Sequence, residues 1–349
     1  MICHQLPANL AASCSRHARF GGRRLKPKIY VTRRLPEPAL DRIREVFAME
    51  INPDDRVLTK AEIIENTRGQ DALLCLLTDT IDADIMDAEK NLRVLSNYAV
   101  GYNNIDVDAA TERSIPVTNT PGVLNDSTAD LTWALLMAVA RRIVEADGYM
   151  RTGKYDGWAP TLLMGTDVHH KTLGIIGLGR IGFALAQRAQ GFGMRIIYSD
   201  LEPKPYAAEV DAEYVDMYTL LRESDFVSLH PFYDKKSHHL IDEREFKQMK
   251  NSAFLINVSR GPVVNEKALV KALKAGEIAG AALDVYEHEP KMEPELAEMD
   301  NVVIVPHIAS ASLETRTAMG YIAVDNVLAR CRGDALTTCL NPAVMDIQQ

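Results

Sequence analysis

Arg260 stands just after the apolar run Ala253-Phe254-Leu255-Ile256 and its extension Asn257-Val258-Ser259, and Gly261 follows it. His307 comes after Val302-Val303-Ile304-Val305 and Pro306. Asp284 ends the run Gly280-Ala281-Ala282-Leu283, and Glu287, Glu289, Glu293 and Glu295 crowd the segment beyond it. These residue types have a joint chemistry. Arginine presents a planar fork of donors to a carboxylate or carbonyl. Histidine changes charge near neutral pH and can hand over a proton. A carboxylate against the imidazole fixes its orientation and favours the protonated form. From spacing alone, any of the four glutamates could fill that place.

A second stretch says what such a set could work beside. Gly177-Leu178-Gly179-Arg180-Ile181-Gly182 reads G-x-G-x-x-G, preceded by the strand-like Leu173-Gly174-Ile175-Ile176 and followed by Ile181, Ala184, Leu185, Arg188 and Ala189 at helical spacing. In that context the first glycine permits the turn, the second lets backbone approach a pyrophosphate, and the third lets helix and strand pack closely. The helix start favours an anion. Asp200 ends the next strand-like run, Arg195-Ile196-Ile197-Tyr198-Ser199, 23 positions after Gly177. That is close to the roughly 20 expected for an acidic residue on an adenosine ribose. A carboxylate there accepts from both ribose hydroxyls and repels a 2′-phosphate, so NAD is expected over NADP. Beside a nicotinamide, the arginine, glutamate and histidine suit hydride transfer to the carbonyl carbon of a 2-oxo acid, with the proton going to its oxygen.

The elements that must position these residues alternate. Lys28-Ile29-Tyr30-Val31, Ala72 to Leu77, Val94-Leu95-Ser96 and Pro116-Val117-Thr118 read as strands, with helical patterns after Pro38, after Thr59, from Asp82 and near Asp106. The chain turns at Thr120-Pro121-Gly122, and Ser127-x-x-Asp130 reads as a capping box opening one long apolar helix through Leu131, Leu135, Leu136, Val139 and Ile143. After Leu173 come further strands at Phe226 to Leu229 (ending at His230), Ala253 to Ile256, Gly280 to Leu283 and Val302 to Val305, with helices over Asp242–Met249 and Asn265–Ala275. A helix from Ser312 to Arg330 runs back to the first part. Alternation of this kind predicts α/β architecture with parallel sheets covered on both faces. The expectation is a doubly wound Rossmann coenzyme domain, residues 123–310, inserted into a flavodoxin-like substrate domain, residues 26–122 and 311–342. In such sheets ligands sit outside the carboxyl ends of the strands. Those positions hold Gly177 to Gly182, Asp200, His230, Arg260, Asp284 and His307.

The 349 residues suffice for two domains. A net charge of −9 argues against nucleic acid as a direct partner. No apolar run approaches the roughly 18 residues that span a bilayer. Cys3, Cys14, Cys75, Cys331 and Cys339 are scattered without C-x-x-C spacing, which argues against a disulfide framework or structural zinc. The adjacent pairs His169-His170 and His238-His239 are poorly placed to chelate together, so no metal is expected. Cys75 is expected in the core and Trp158 in packing or a dimer contact. Residues 1 to 36 contain Arg16, Arg19, Arg23, Arg24, Lys26, Lys28, Arg33 and Arg34 but no acidic residue. The composition is that of an organelle transit peptide, yet no amphipathic helix is visible. Residues 1–25 are therefore read as a disordered extension of a cytoplasmic protein, an organelle being the alternative.

The chain resembles the D-isomer-specific 2-hydroxyacid dehydrogenases, and within them most the glyoxylate/hydroxypyruvate reductases. The resemblance runs from Lys28 to about Pro342. It is carried by the segments Asn97–Asp106, Thr118–Leu124, Gly177–Gly182, Asn257–Val264, Ala282–Pro290 and Pro306–Ser310. It implies catalytic roles for Arg260, His307 and the glutamate directly before proline, Glu289. It implies a substrate loop at Val100-Gly101 whose backbone amides hold a carboxylate. It implies dinucleotide contacts at Thr128, Gly177, Gly179, Arg180, Ile181, Gly182, Asp200, Val258, Ser259, Arg260, Asp284, His307 and Ser310. It further implies a homodimer formed through the coenzyme domain, on the Asp130-to-Ala146 helix and the loop after it.

Departures from the pattern are few. Pro231-Phe232-Tyr233 replaces the usual apolar residue, proline and leucine, and Asn103 stands where aspartate is common. Glu289 weighs against the formate dehydrogenase branch, which carries glutamine there. A D-3-phosphoglycerate or D-lactate type dehydrogenase is the nearest alternative, but residues 70–82 and 98–106 offer no cation for a phosphate. An NAD-sensing binding protein of the corepressor type is the alternative of another class.

Overall fold

A computed structural model describes residues 26–346. Two parallel sheets carry the molecule. The first has five strands, β1 (Lys28–Val31), β2 (Ala48–Ile51), β3 (Ala72–Leu76), β4 (Val94–Tyr98) and β5 (Val117–Thr118), in the order β2-β1-β3-β4-β5. The helices between them are α1 (Glu37–Val46), α2 (Lys60–Thr67), α3 (Ala83–Asp87) and α4 (Val107–Glu112). Their starts are written in the sequence. Thr59 closes a capping box with Glu62, and Asp82 and Asp106 accept from Ile85 and Ala109 N–H. Each cap satisfies a first-turn donor that the helix itself leaves open.

The chain leaves this sheet through α5 (Asn125–Ala140) and α6 (Ile143–Arg151) and enters a second sheet. Its strands are β6 (Thr172–Ile176), β7 (Arg195–Ser199), β8 (Ala212–Tyr214), β9 (Phe226–Leu229), β10 (Phe254–Asn257), β11 (Gly280–Leu283) and β12 (Val302–Ile304). The order is β12-β11-β10-β9-β6-β7-β8, so β6 and β9 are neighbours and the order reverses between them. The helices are α7 (Arg180–Gln190), α8 (Met217–Glu223), α9 (Glu243–Phe246) and α10 (Glu266–Ala275). This is the doubly wound order expected, and the first sheet has the flavodoxin-like order. Finally α11 (Leu313–Arg332) returns to the first sheet, and α12 (Ala343–Asp346) closes the described chain. Met319, Ala323, Val324 and Val327 of α11 share a core with Ile29, Val31, Leu40 and Ile43. Apolar clusters cover the other sheet faces too, and Cys75 is fully buried in one of them, as expected.

The structure corrects several local expectations. Ser127 and Asp130 do not form a capping box. The helix already starts at Asn125, the Ser127 hydroxyl donates to Leu124 O at 3.1 Å, and Asp130 pairs with Arg188. The single long helix breaks at Arg142, which adopts φ 52°. There the Ala140 carbonyl accepts Thr166 N–H at 2.8 Å instead of continuing the helix ladder. Ile143 and Val144 extend the apolar periodicity past the break, but they face outward, 51% and 57% exposed. The expected helix over 242–249 shortens to one turn, and β2, β8 and α8 were not read at all. The expectations for residues 1–25 lie outside the described residues. Among the described residues no helix is long and apolar enough to cross a membrane.

Candidate active site

The G-x-G-x-x-G turn lies at the point where the strand order reverses, and its first and third glycines have steric reasons. Gly177 has φ +90°, and a Cβ on it would meet the His230 carbonyl carbon at 2.8 Å. At Gly182 a Cβ would fall 2.5 Å from Gly177 O. At Gly179 a Cβ meets nothing within 4 Å. The first and third glycines thus let backbone pack on backbone, while the second faces open space. Gly179 is also the N-cap of α7, with no capping side chain and no acidic residue in the first turn. An uncapped helix start behind an open glycine is a cradle for a diphosphate. Arg180 is exposed beside it, and its side chain makes no hydrogen bond among the described residues. Asp200 lies at the end of β7. Its carboxylate accepts Leu178 N–H at 3.0 Å and Leu201 N–H at 2.7 Å, and Lys204 Nζ approaches at 3.3 Å.

Beyond the cradle, a cavity of about 260 Å³ lies between the two sheets' loops. The segment after β4 supplies Val100, Gly101 and Asn103 to it. The other side supplies Thr128, Ile181, Val258, Ser259, Arg260, His307 and Ser310. Gly177, Gly179, Arg180, Gly182, Asp200, Asp284 and Glu289 do not line this cavity. The two sides touch. Gly101 lies so close to the Arg260 guanidinium that a Cβ there would overlap Nη2. Arg260 Nη1 donates to Ser259 O at 2.7 Å and Nε to Asn103 Oδ1 at 3.4 Å. Burial pushes the guanidinium pKa down, and the charge of Glu289 opposes that shift.

Glu289 Oε2 bonds His307 Nδ1 at 3.0 Å, and Oε1 accepts Tyr286 N–H at 3.1 Å. Burial raises the Glu289 pKa, but the His307 hydrogen bond and charge, the Tyr286 N–H and Arg260 outweigh it, so the carboxyl is held below its usual range. The other glutamates go elsewhere. Glu287 bonds His239 Nε2 at 2.6 Å, and Glu295 approaches Lys274 at 3.7 Å. The Glu293 side chain makes no hydrogen bond to His307 among the described residues, and the Glu293 N–H donates to Glu266 Oε2. His307 has φ 53°, and no residue bonds its Nε2 among the described residues. Asp284 is fully buried and accepts Ile308 N–H at 2.6 Å and Ala309 N–H at 2.9 Å, so its carboxylate braces the loop that carries His307. Burial raises its pKa against those two N–H bonds.

His230 is the second imidazole on the cavity. Its Nε2 meets Ser228 Oγ at 2.9 Å, and burial pulls its pKa down to about 3. It is therefore neutral near pH 7 and poorly suited to donate a proton. The Pro231-Phe232-Tyr233 departure lies at the mouth, where the Phe232 ring meets Tyr102 with centroids 5.6 Å apart. Sequence reasoning missed Asn97, Asn119 and Lys204. The first two stand inside quoted motif segments, at Asn97-Tyr98 and Thr118-Asn119, but nothing in the residue pattern separates them from turn formers.

Fold and site together define a doubly wound α/β protein with a dinucleotide cradle opening onto an arginine, glutamate and histidine cluster. Residues 133–309 match the family described as D-isomer specific 2-hydroxyacid dehydrogenase, NAD binding domain. A glyoxylate reductase of Korarchaeum cryptofilum is 49% identical over 327 residues, covering 93% of this chain and 98% of the relative. A solved structure from Thermus thermophilus is 43% identical with TM-score 0.85, covering 90% of this chain and 99% of that one. The structure of an NADPH-dependent glyoxylate/hydroxypyruvate reductase from Sinorhizobium meliloti, in complex with NADP and malonate, is 31% identical with TM-score 0.80. It covers 92% of this chain and 98% of its own. The chain belongs to the D-isomer specific 2-hydroxyacid dehydrogenase family.

Proposed function

We infer that the protein reduces a small 2-oxo acid, glyoxylate or hydroxypyruvate, to the D-2-hydroxy acid with NADH. The observation that carries this reading is the meeting of Gly101 with Arg260 beside the Glu289–His307 bond, at the end of a cradle fit for a dinucleotide. The open face of Gly179 and the uncapped start of α7 fit the diphosphate, with Arg180 at hand for its charge. Bound there, the reduced nicotinamide supplies the hydride. The rest is work for the chain's own side chains. Arg260 holds the carboxylate and polarises the carbonyl through its free donors. Glu289 takes the Nδ1 proton of His307 in a hydrogen bond, which leaves the Nε2 proton for the carbonyl oxygen. The amides of Val100-Gly101 receive the substrate carboxylate.

Asp200 supports NAD, since its carboxylate would repel a 2′-phosphate. Among the described residues Arg260 is the one lysine or arginine lining the cavity, which favours an unphosphorylated acid over 3-phosphohydroxypyruvate. The reading keeps residues 123–310 as coenzyme domain and residues 26–122 with 311–342 as substrate domain. It includes a homodimer through residues 130–146 and the segment after them, where Ile143, Met150, Trp158 and Met164 stand 51%, 58%, 82% and 64% exposed.

The test is initial-rate oxidation of NADH, and separately NADPH, with glyoxylate, hydroxypyruvate, pyruvate, phenylpyruvate and 3-phosphohydroxypyruvate. Fast NADH turnover confined to the two smallest polar acids is expected. NADH binding with no turnover on any acid would favour a binding protein of the corepressor type instead.

A further inference from the structure

A trans peptide sets its N–H opposite its C=O, so fixing a carbonyl fixes where the next residue's N–H points. Three successive carbonyls after β4 are fixed. Ala99 O accepts Thr120 N–H at 2.9 Å, Val100 O accepts Asn119 Nδ2 at 2.8 Å, and Gly101 O accepts Asn97 Nδ2 at 2.9 Å. The N–H groups on the opposite side of those peptides belong to Val100, Gly101 and Tyr102. None of the three makes a hydrogen bond among the described residues.

Both asparagines are themselves immobilised. Asn97 is fully buried, and its side-chain amide also pairs with that of Asn104 at 3.2 Å. Asn104 in turn donates to Leu76 O and Asp79 O at 3.0 and 3.1 Å. Asn119 is 8% exposed, and its carbonyl accepts Thr338 Oγ1 at 2.7 Å. Thr338 is bonded by Asn326 Nδ2 of α11 at 2.9 Å. The loop therefore rests on a buried amide network anchored in β3 on one side and α11 on the other. Buried polar groups so fully engaged rigidify what they hold.

We propose that Asn97 and Asn119 are positioning residues that aim the amide donors of residues 100–102 at the carboxylate of the 2-oxo acid. The proposal rests on the reading of the reaction given above. Asn119→Asp and Asn97→Asp are nearly isosteric, but they set an oxygen against a carbonyl oxygen and so turn the peptide. Asn119→Ala removes the donor without adding charge.

The experiment measures kcat and KM for glyoxylate with NADH, NADH affinity by fluorescence titration, and thermal melting for each variant. It adds titration of the NADH-loaded protein with oxamate, an unreactive analogue. KM for glyoxylate should rise about 10- to 100-fold, the loss expected for hydrogen bonds to a charged group. The fall in kcat should be smaller, and NADH affinity should stay within about twofold, because uniform substrate binding is what is lost. A glyoxylate KM unchanged in Asn119→Ala and Asn119→Asp, with wild type active, overturns the proposal and leaves the reaction standing. Parallel loss of NADH and glyoxylate affinity also overturns it, because that marks general collapse of the site. If wild type reduces none of the acids yet binds oxamate and the Asn119 variants do not, the positioning role stands and the reaction falls. If wild type neither turns over nor binds oxamate, both fall.

Discussion

Asp200 and His230 show what single side chains do beside this cradle. Asp200 already accepts two backbone N–H groups and faces Lys204, so its charge is anchored at the end of β7 beside the cradle. Asp200→Asn keeps an acceptor and removes the charge. Its kcat/KM with NADPH relative to NADH should rise tenfold or more, as read by initial rates with both coenzymes. If wild type already prefers NADPH, the reading of Asp200 is wrong. His230 has a different consequence. Its folded pKa of about 3 lies below the ordinary 6.5, so below pH 6.5 the unfolded chain binds a proton that the folded chain refuses. Stability is then lost as pH falls through 6.5, by about 2 kcal/mol between pH 7 and pH 5. Denaturant unfolding of wild type and His230→Gln at both pH values checks this. The variant should lose about 2 kcal/mol less than wild type over the same interval, and equal losses would contradict the assignment.

The elements were legible to different degrees, for physical reasons. β6, β10 and β11 are buried on both faces and read as unbroken apolar runs. The edge strands β2 and β8 mix in Glu50 and Glu213, and half-solvated edges carry no such run. The break at Arg142 was invisible because its cause is tertiary: the Thr166 N–H takes the Ala140 carbonyl. Likewise spacing left four glutamates open and the family resemblance singled out Glu289, while folding shows that Glu289 reaches His307 and Glu287 reaches His239. The loop after β4 was named by resemblance, yet why it needs glycine is steric. Gly101→Ala would force the Arg260 guanidinium aside. Its turnover should fall at least a hundredfold with NADH binding kept, and activity near wild type would show that the loop and Arg260 are not in register.

At the scale of the whole molecule, the cavity exists only because loops of both sheets close on it. Tyr102 meets Phe232 across the mouth, and α11 locks the first sheet from behind through Ser96 Oγ to Ala323 O at 3.2 Å and the ion pair of Arg42 with Asp325. The exposed apolar stretch from α6 to Met164 belongs to the same scale. Sedimentation equilibrium should give twice the chain mass, and Trp158→Ser should weaken the assembly. A monomer at all concentrations would contradict the homodimer.

In the proposed reaction His307, oriented by Glu289, delivers the proton. That role is tested most directly by the turnover of His307→Asn with glyoxylate and NADH, measured beside its NADH affinity. The kcat should fall about 10²- to 10⁴-fold, the usual worth of a general acid, with NADH binding largely intact. Wild-type-like turnover in this variant would contradict it.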